Sequence, residues 1–392
     1  MSRFPQIWAS EDTYLKTARP ERPVFFFAPE RLDATARRFC DGFDGLVTYA
    51  VKANPDRAVV ENLLAAGVTG FDVASPGEIA LIREIAPHAA LHYNNPVRSR
   101  QEIAFGVANG VASWSVDGMG ELKKLIERLA KGTEVAVRLH LDLPGAVYDF
   151  GEKFGEDPQG AAELLRAVAE AGLVPAMCFH PGTQCTDPAT WTRYIEACAE
   201  VVQMAGVRIA RLNVGGGFPS DRGQGVPLLA EIFAAIHAAR DGAFGPDAPG
   251  LVCEPGRAMV AEAFTLAAKV KSVRACEALF LNDGIYGGLA ETPLMGAVER
   301  LRVLSCEGRV RGGAPIARVI YGPTCDSIDR LPAAVALPGD VSEGDYLVFA
   351  GMGAYSNALS TRFNGYGAHE MVTVRCESVS QKLGSSDCRG TL

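Results

Sequence analysis

The sequence has no long hydrophobic segment. None of its apolar runs approaches the length of a membrane-spanning helix, and residues 1–14 hold no continuous apolar stretch of the kind found in a secretory signal. These absences argue against a membrane-embedded or exported protein. We therefore expect a cytoplasmic protein with no membrane partner.

Clustered positive charge is also missing. The 38 Lys and Arg residues are outnumbered by 46 Asp and Glu residues, and no basic run is long enough to follow a phosphate backbone. We therefore expect no nucleic-acid partner. Because 48% of the residues are hydrophobic and 21% are charged, the composition is that of a packed globular enzyme and not of a disordered chain.

The cysteines lack paired spacing. Ten of them are scattered between Cys40 and Cys388, in a chain of 392 residues that is large enough to fold without disulfides, so we expect reduced thiols. Cys178, His180 and Cys185 resemble a metal cluster. However, they fall on two faces of a predicted strand and in a loop, and no second half-site follows, so we predict no metal site.

Residues 29–260 alternate between two kinds of segment, short apolar strands and longer stretches with helical spacing. The predicted strands are 46–50, 68–73, 90–93, 112–116, 135–140, 174–180, 209–214 and 250–254. Such alternation is typical of βαβ units and a parallel sheet, and eight repeats predict an α/β fold, a closed (β/α)8 TIM-like barrel. An open doubly wound sheet is the alternative, because periodicity alone does not show closure.

Residues 261–392 lose the helical spacing. Short β-rich segments separated by Gly, Pro and Asp turns predict a C-terminal all-β domain, and segment 24–27, within residues 1–28, is the predicted extra strand that joins it. We see no linker, so the two domains should pack tightly. The tail after Gln381 has no apolar pattern and is predicted to be mobile.

Lys52 stands at the end of the first predicted barrel strand. A single lysine there more often extends its amine to solvent, but burial would lower its pKa and favour the nucleophilic neutral form. Polar residues also end or follow most other strands, and they are Asp72, Asn94, Asn95, Arg138, His140, His180, Gly215 and Glu254. The carboxyl ends of barrel strands share one rim, which is where such barrels carry their active sites.

Three features of this rim indicate pyridoxal phosphate. Lys52 could hold the aldehyde as a Schiff base. The glycines 215–217 and Arg257, after the seventh and eighth strands, offer backbone N–H groups and a bidentate cation to a phosphate. Glu254 could face the pyridine nitrogen and make the ring an electron sink, and His180 could stack on the ring.

Nine short segments, taken in chain order, resemble the fold-type III pyridoxal-phosphate decarboxylases, the ornithine/lysine/diaminopimelate decarboxylase family, whose fold is alanine-racemase-like. The segments are 49–54 (YAVKAN), 71–78 (FDVASPGE), 179–184 (FHPGTQ), 213–219 (NVGGGFP), 254–257 (EPGR), 282–286 (NDGIY), 322–329 (GPTCDSID), 353–355 (GAY) and 363–366 (FNGY). Each is weak alone, whereas nine in the order of the family are specific.

The resemblance implies a role for each matching residue. Lys52 would carry the Schiff base, with Glu78 nearby, and Cys325 would return a proton to the substrate carbon after carbon dioxide leaves. Asp326 would bind the distal amine of the substrate, with Tyr286 and Phe363 beside it. The cofactor-binding residues would be Lys52, Asp72, Arg138, His180, Thr183, Gly215, Gly216, Gly217, Glu254, Gly256, Arg257 and Tyr355.

In this family the cysteine and the aspartate belong to the active site of the partner subunit, so the resemblance also implies a homodimer with two shared active sites. The substrate it implies is a basic L-amino acid, with ornithine, converted to putrescine, ahead of lysine or an N-modified diamino acid. Where ornithine decarboxylases have a second acidic residue for the distal amine, this sequence has Met295, and Glu291 is close to it but out of register.

Two other classes of protein compete with the decarboxylase. Racemases of the same fold tend to place an arginine at the ring nitrogen, which Glu254 contradicts. Non-catalytic homologues that only bind a partner typically lose cofactor residues, whereas Lys52, Cys325 and Tyr355 are present here.

Overall fold

The computed structural model describes residues 6–143, 153–223, 225–274, 277–296 and 299–375, and the tail predicted to be mobile lies outside them. The helices are α1 (Glu11–Ala18), α2 (Pro29–Gly42), α3 (Arg57–Ala65), α4 (Pro76–Ile85), α5 (Arg100–Ala108), α6 (Met119–Ile126), α7 (Pro158–Glu170), α8 (Pro188–Ala205), α9 (Leu229–Phe244), α10 (Arg257–Val260) and α11 (Thr292–Met295). The strands are β1 (Val24–Phe27), β2 (Leu46–Ala50), β3 (Gly70–Val73), β4 (Ala90–Tyr93), β5 (Ser113–Val116), β6 (Glu134–Arg138), β7 (Val174–Cys178), β8 (Arg211–Asn213), β9 (Gly250–Cys253), β10 (Phe264–Val273), β11 (Ala278–Leu281), β12 (Leu301–Leu304), β13 (Pro315–Tyr321), β14 (Val335–Pro338), β15 (Tyr346–Ala350) and β16 (Glu370–Thr373).

Strands β2 to β9 form a closed parallel barrel. Each pairs with the next in the chain, and β2 closes the ring by pairing with β9. Strands such as β3 and β5 are buried along their whole length, as apolar strands covered by helices should be. The closed ring confirms the (β/α)8 barrel and excludes the open sheet.

The barrel helices begin at residues that the sequence marks clearly. Asp56, Ser75, Asp157 and Asp187 accept hydrogen bonds from the first backbone N–H groups of α3, α4, α7 and α8. These caps fix where each helix starts after the loop that leaves the rim. The candidate functional residues Lys52, His180 and Glu254 lie in such loops, between a barrel strand and the helix that follows it.

The second sheet is the predicted C-terminal β-domain. Its strands run in the order β12-β15-β10-β11-β13-β14, and β1 pairs with β10 and with β16 at its side. The N-terminal segment thus joins the sheet before the chain enters the barrel. Three helices, α1, α10 and α11, and strand β14 were not predicted, because their segments are short and their apolar spacing is weak.

The two domains meet directly. Strand β10 begins at Phe264, shortly after α10, and the side-chain amide of Asn54, in the loop after barrel strand β2, donates to the carbonyl oxygen of Gly353 at 2.9 Å. The division into residues 29–260 and 261–392 stays a prediction. Within the described ranges, no helix has the length and hydrophobicity needed to cross a membrane.

Candidate active site

A cavity of about 990 Å³ opens at the carboxyl ends of the barrel strands, below the edge of the β-domain. Every residue predicted to bind the cofactor lines it, except Gly215, which precedes two lining glycines. The predicted lining residues are Lys52, Asp72, Arg138, His180, Thr183, Gly216, Gly217, Glu254, Gly256, Arg257 and Tyr355. The fold therefore gathers these residues into one site, although the first and the last of them, Lys52 and Tyr355, lie more than 300 positions apart in the sequence.

Lys52 lies in a single turn of 3-10 helix that follows β2, and its side chain projects into the cavity. Its Nζ atom is 3.6 Å from Oδ2 of Asp72, whose side chain is only 2% exposed. Burial lowers the pKa of Lys52, but Asp72, Tyr355 and Glu254 outweigh it, so its pKa is raised above the ordinary lysine value. The sequence-based expectation of a lowered pKa is therefore wrong. Carboxylates close to the amine decide the direction.

The glycine run 215–217 leaves bare backbone where side chains would not fit. Gly215 and Gly217 have φ values of +68° and +82°, which favour glycine. A Cβ on Gly217 would lie 2.6 Å from the carbonyl oxygen of Gly182, and one on Gly216 would lie 2.8 Å from that of Glu254. The loop after β8 can therefore bring its N–H groups close to an anionic group.

Arg257 begins α10, beside this loop, and its side chain is 8% exposed. It forms a bidentate ion pair with Glu291, in which Nη1 donates to Oε2 at 2.6 Å, and its guanidinium lies 5.0 Å from the centroid of the Tyr355 ring. The pair was not predicted from the sequence. Because Glu291 is paired with Arg257, it does not take the place of the acidic residue that Met295 replaces. Met295 itself lines the cavity.

Glu254 follows β9, which pairs with β2 and β8, and it lines the same cavity. Its Oε1 atom accepts hydrogen bonds from the side-chain amides of Asn94 and Asn213, both at 2.5 Å. Burial and the nearby carboxylate of Asp72 raise the pKa of Glu254 to about 7, against the lowering effect of Lys52. Asn94 was predicted on the rim without a role, and here it fixes the orientation of this carboxylate.

His180 follows β7, and its ring reaches the same cavity. Burial, with Arg138 and Lys52 as nearby cations, lowers the pKa of His180 well below its ordinary value, so the ring is neutral at pH 7. The backbone N–H of Gly182 donates to its Nδ1 atom at 3.1 Å. A neutral imidazole held in this way can lie flat against an aromatic ligand.

Phe154 and Lys153 are among the cavity residues that the sequence analysis missed. Phe154 contacts Arg138, whose guanidinium lies 5.3 Å from the ring centroid, and Lys153 places its Nζ atom 4.9 Å from the same ring. Both residues line the cavity. They belong to the loop between β6 and α7, where no strand end or motif points to them.

Four predicted site residues lie outside this cavity, in a separate group that we call the surface cluster: Cys325, Asp326, Tyr286 and Phe363. The Tyr286 hydroxyl donates to Oδ2 of Asp326 at 2.6 Å, and the rings of Tyr286 and Phe363 are 4.8 Å apart. This hydrogen bond and one from the backbone N–H of Ile328 lower the pKa of Asp326, so it is charged at neutral pH. Cys325 is exposed.

The cavity residues fit pyridoxal phosphate. The glycine run and Arg257 form a cradle of the size and charge that a phosphate needs, and a backbone with Cβ atoms would close it. Lys52 and Glu254 line the same cavity, so it offers an amine for a lysine-bound ring and a carboxylate for the ring nitrogen. Fold and site together define a barrel enzyme of the pyridoxal-phosphate class.

Comparison with known proteins identifies the family. Residues 30–261 match the family described as pyridoxal-dependent decarboxylase, pyridoxal binding domain. The ornithine decarboxylase of Mus musculus is 32% identical over 341 residues, 81% of this chain and 73% of that protein. Antizyme inhibitor 2 of Xenopus laevis is 31% identical over 342 residues, with the same coverage of 81% and 73%.

A solved structure of a decarboxylase has the same fold as this chain. The lysine/ornithine decarboxylase from Vibrio vulnificus, complexed with putrescine, superposes with a TM-score of 0.80 at 27% identity, covering 94% of this chain and 99% of that one. This chain belongs to the pyridoxal-dependent decarboxylases. It is a carboxy-lyase whose cofactor is pyridoxal 5'-phosphate and whose substrate is an amino acid.

Proposed function

We propose that this decarboxylase acts on a basic L-amino acid, with ornithine as the preferred substrate and putrescine as the product. The observation that carries the proposal is Asp326, a charged carboxylate held by Tyr286 in the surface cluster. Such a carboxylate can accept a charge-assisted hydrogen bond from a distal ammonium group. The names of the mouse and Vibrio relatives agree with this substrate class.

Residues of the cavity would hold the cofactor. Lys52 would bind it covalently through its amine, and the glycine run, Thr183, Arg257 and Tyr355 would hold its phosphate. The phosphate would compete with Glu291 for Arg257, because both anions need the same guanidinium. Glu254, oriented by Asn94 and Asn213, would keep a proton on the ring nitrogen.

When bound, pyridoxal phosphate supplies an electron sink that accepts the electron pair left when carbon dioxide departs. The other steps belong to side chains of this protein. His180, neutral and fixed by Gly182, would support one face of the ring. Cys325 would donate its thiol proton to the substrate carbon that lost the carboxylate, and Asp326 would hold the far end of the substrate.

The surface cluster and the cavity would meet only between two copies of the chain. Cys325 is exposed and none of the four cluster residues lines the cavity. Ile328 and Phe363 next to it are 61% and 42% exposed, which leaves apolar surface for a second copy to cover. We infer a symmetric homodimer in which each cluster completes the cavity of its partner.

Mixing two inactive variants would test the shared site. Lys52→Ala and Cys325→Ala chains are each expected to be inactive alone, yet a heterodimer of the two contains one intact site. With random exchange of subunits, the mixture should recover about a quarter of the wild-type activity. Steady-state turnover measured after exchange gives the result.

Subunit exchange has to be demonstrated in the same mixture, for example with differently tagged chains. Exchange without any recovered activity would place each complete site within one chain. A mixture of Lys52→Ala chains with two different tags is the matched control and should stay inactive.

The substrate assignment predicts a specific effect of Asp326. Replacing it with alanine should raise KM for ornithine on the order of 10- to 100-fold, because the charged hydrogen bond to the distal ammonium is lost. Asp326→Asn keeps an acceptor for Tyr286 without the charge, and it should show most of the same loss. The measurement is carbon dioxide release against ornithine, lysine and neutral amino acids.

Covalent cofactor binding should be unchanged in both Asp326 variants. A wild-type enzyme that accepts only amino acids without a distal nitrogen would refute the basic-substrate assignment, even though it remained a decarboxylase. Met295 and Leu294 line the cavity and make that part of its wall apolar. Lysine, or a diamino acid with a modified distal nitrogen, is therefore the second candidate for the substrate.

A further inference from the structure

Asp329 is a buried carboxylate to which the proposed reaction gives no role. Its side chain is 1% exposed, and it accepts three hydrogen bonds. Oδ1 accepts from the backbone N–H of Ile285 at 3.0 Å, and Oδ2 accepts from the N–H and the hydroxyl of Thr324, at 3.0 and 2.7 Å. A buried carboxylate needs such hydrogen-bond donors, because it has given up its contacts with water.

The two oxygens of Asp329 bind different segments of the chain. Ile285 belongs to the loop after β11, whereas Thr324 belongs to the loop after β13. Each loop has a glycine at the point where it passes the carboxylate, and a side chain there would collide with it. A Cβ on Gly284 would lie 3.0 Å from the Asp329 Cγ atom, and one on Gly322 would meet both carboxylate oxygens. This close approach explains a glycine in each of the two motifs.

The residues that Asp329 binds stand directly beside the surface cluster. Ile285 precedes Tyr286, and Thr324 precedes Cys325 and Asp326. Asp329 itself lines no part of the cavity of its own chain. It therefore connects the backbone segments that carry three of the four cluster residues.

We propose that Asp329 is a positioning residue that fixes the Tyr286 loop and the Cys325 loop to each other, and that it acts on the active site of the partner copy. This inference rests on the proposed shared site. Replacing Asp329 should therefore lower activity at the active site of the partner copy. The cofactor site of the chain that carries the replacement should stay intact.

The variant Asp329→Asn tests the proposal. Asparagine has nearly the same size, but its NH2 group must face a backbone N–H donor on one of the two sides. Turnover should fall about 10- to 100-fold, because the cluster loses its fixed geometry. The absorbance of the lysine-bound cofactor and the affinity for pyridoxal phosphate should not change.

Two mixtures locate the defect. Asp329→Asn chains mixed with Lys52→Ala chains should recover activity to the level of the Lys52→Ala and Cys325→Ala mixture, since the Lys52→Ala chain supplies an intact cluster. The mixture with Cys325→Ala chains should recover nothing. Recovery with Cys325→Ala and none with Lys52→Ala would overturn the proposal, because Asp329 would then serve the cavity of its own chain.

A third readout does not depend on catalysis. Maleimide labelling at Cys325, relative to Cys306 in the same chain, should become several-fold faster in Asp329→Asn as the loop loosens. An unchanged ratio would overturn the positioning role. Faster labelling in a protein that decarboxylates no basic amino acid would refute the proposed substrate and keep the role of Asp329, so the two failures are distinguishable.

Matched variants guard against a general loss of structure. Asp340→Asn changes an exposed aspartate that accepts a single backbone hydrogen bond, from Gly313 at 3.1 Å, in the same domain, and it should behave as wild type. Thr324→Val removes only the hydroxyl donor and should give the same mixing pattern with a smaller loss, while Thr324→Ser should restore turnover. If Asp329→Asn does not fold, the two mixtures are made with Thr324→Val instead. A Thr324→Val chain that shows no loss of activity, or no recovery with Lys52→Ala chains, overturns the proposal.

Discussion

Replacing Lys52 with alanine is expected to abolish the covalent attachment of pyridoxal phosphate and to lower turnover by more than about 10³-fold. The Lys52 amine lies 3.6 Å from the Asp72 carboxylate, and although burial lowers the pKa of Lys52, the charges of Asp72, Tyr355 and Glu254 raise it above the ordinary value. Its loss removes the attachment point of the cofactor. The absorbance band of the lysine-bound cofactor near the visible edge should be missing, and borohydride should fix no cofactor to the protein.

Lys153 provides the control for this experiment, because its side chain also lines the cavity. It is exposed and lies against Phe154, so Lys153→Ala should keep the absorbance band and most of the activity. A Lys52→Ala protein that is still labelled through borohydride, at a site other than Lys153, would contradict the assignment. Labelling that disappears in the double variant would instead show that Lys153 substitutes for Lys52.

The sequence predicted the barrel and the cavity well, because both depend on patterns that are local in the chain. Apolar strands such as β2 and β9 are short and continuous, and parallel strands end at the same rim. Lys52 and Glu254 could therefore be assigned to one site from their positions after these strands. The resemblance to a family added Tyr355, which no strand end marks.

Contacts between distant segments could not be predicted in the same way. Arg257 and Glu291 lie 34 positions apart, and their ion pair depends on how α10 packs against the loop that leads to α11. The direction of the Lys52 pKa likewise depends on Asp72, which a neighbouring strand brings near. A charge balance of this kind is set by three-dimensional distances, so a pattern in the sequence does not contain it.

The order of motifs also did not show how the surface cluster and the cavity are arranged within one chain. Tyr286 and Asp326 lie 40 positions apart, yet a hydrogen bond joins them, and neither of them lines the cavity. Asp329 belongs to the same motif as Asp326, but Asp329 is buried and Asp326 is only partly buried. The Asp326 carboxylate accepts from Tyr286 in the surface cluster, while the buried Asp329 carboxylate binds the backbone of two loops.

Replacing Cys325 with alanine is expected to lower turnover by about 10²- to 10⁴-fold, the range for loss of a general acid. Cys325 is exposed in its own chain, and its backbone N–H donates to Oδ1 of Asn364 at 3.0 Å, which fixes the backbone of this residue. Without this proton donor the substrate carbon is protonated slowly, or the proton is added to the wrong carbon. Carbon dioxide release and amine formation, measured together, should then no longer match.

Cofactor absorbance and affinity should stay unchanged in Cys325→Ala, because the thiol does not line the cavity of its own chain. Cys306→Ala is the matched control. That cysteine is half-buried in the same domain, its thiol donates to Glu307 at 2.9 Å, and its replacement should leave turnover intact. Full turnover in Cys325→Ala would mean that the cysteine only packs against its neighbours, whereas a parallel loss of cofactor would mean that it supports the binding site and not the protonation step.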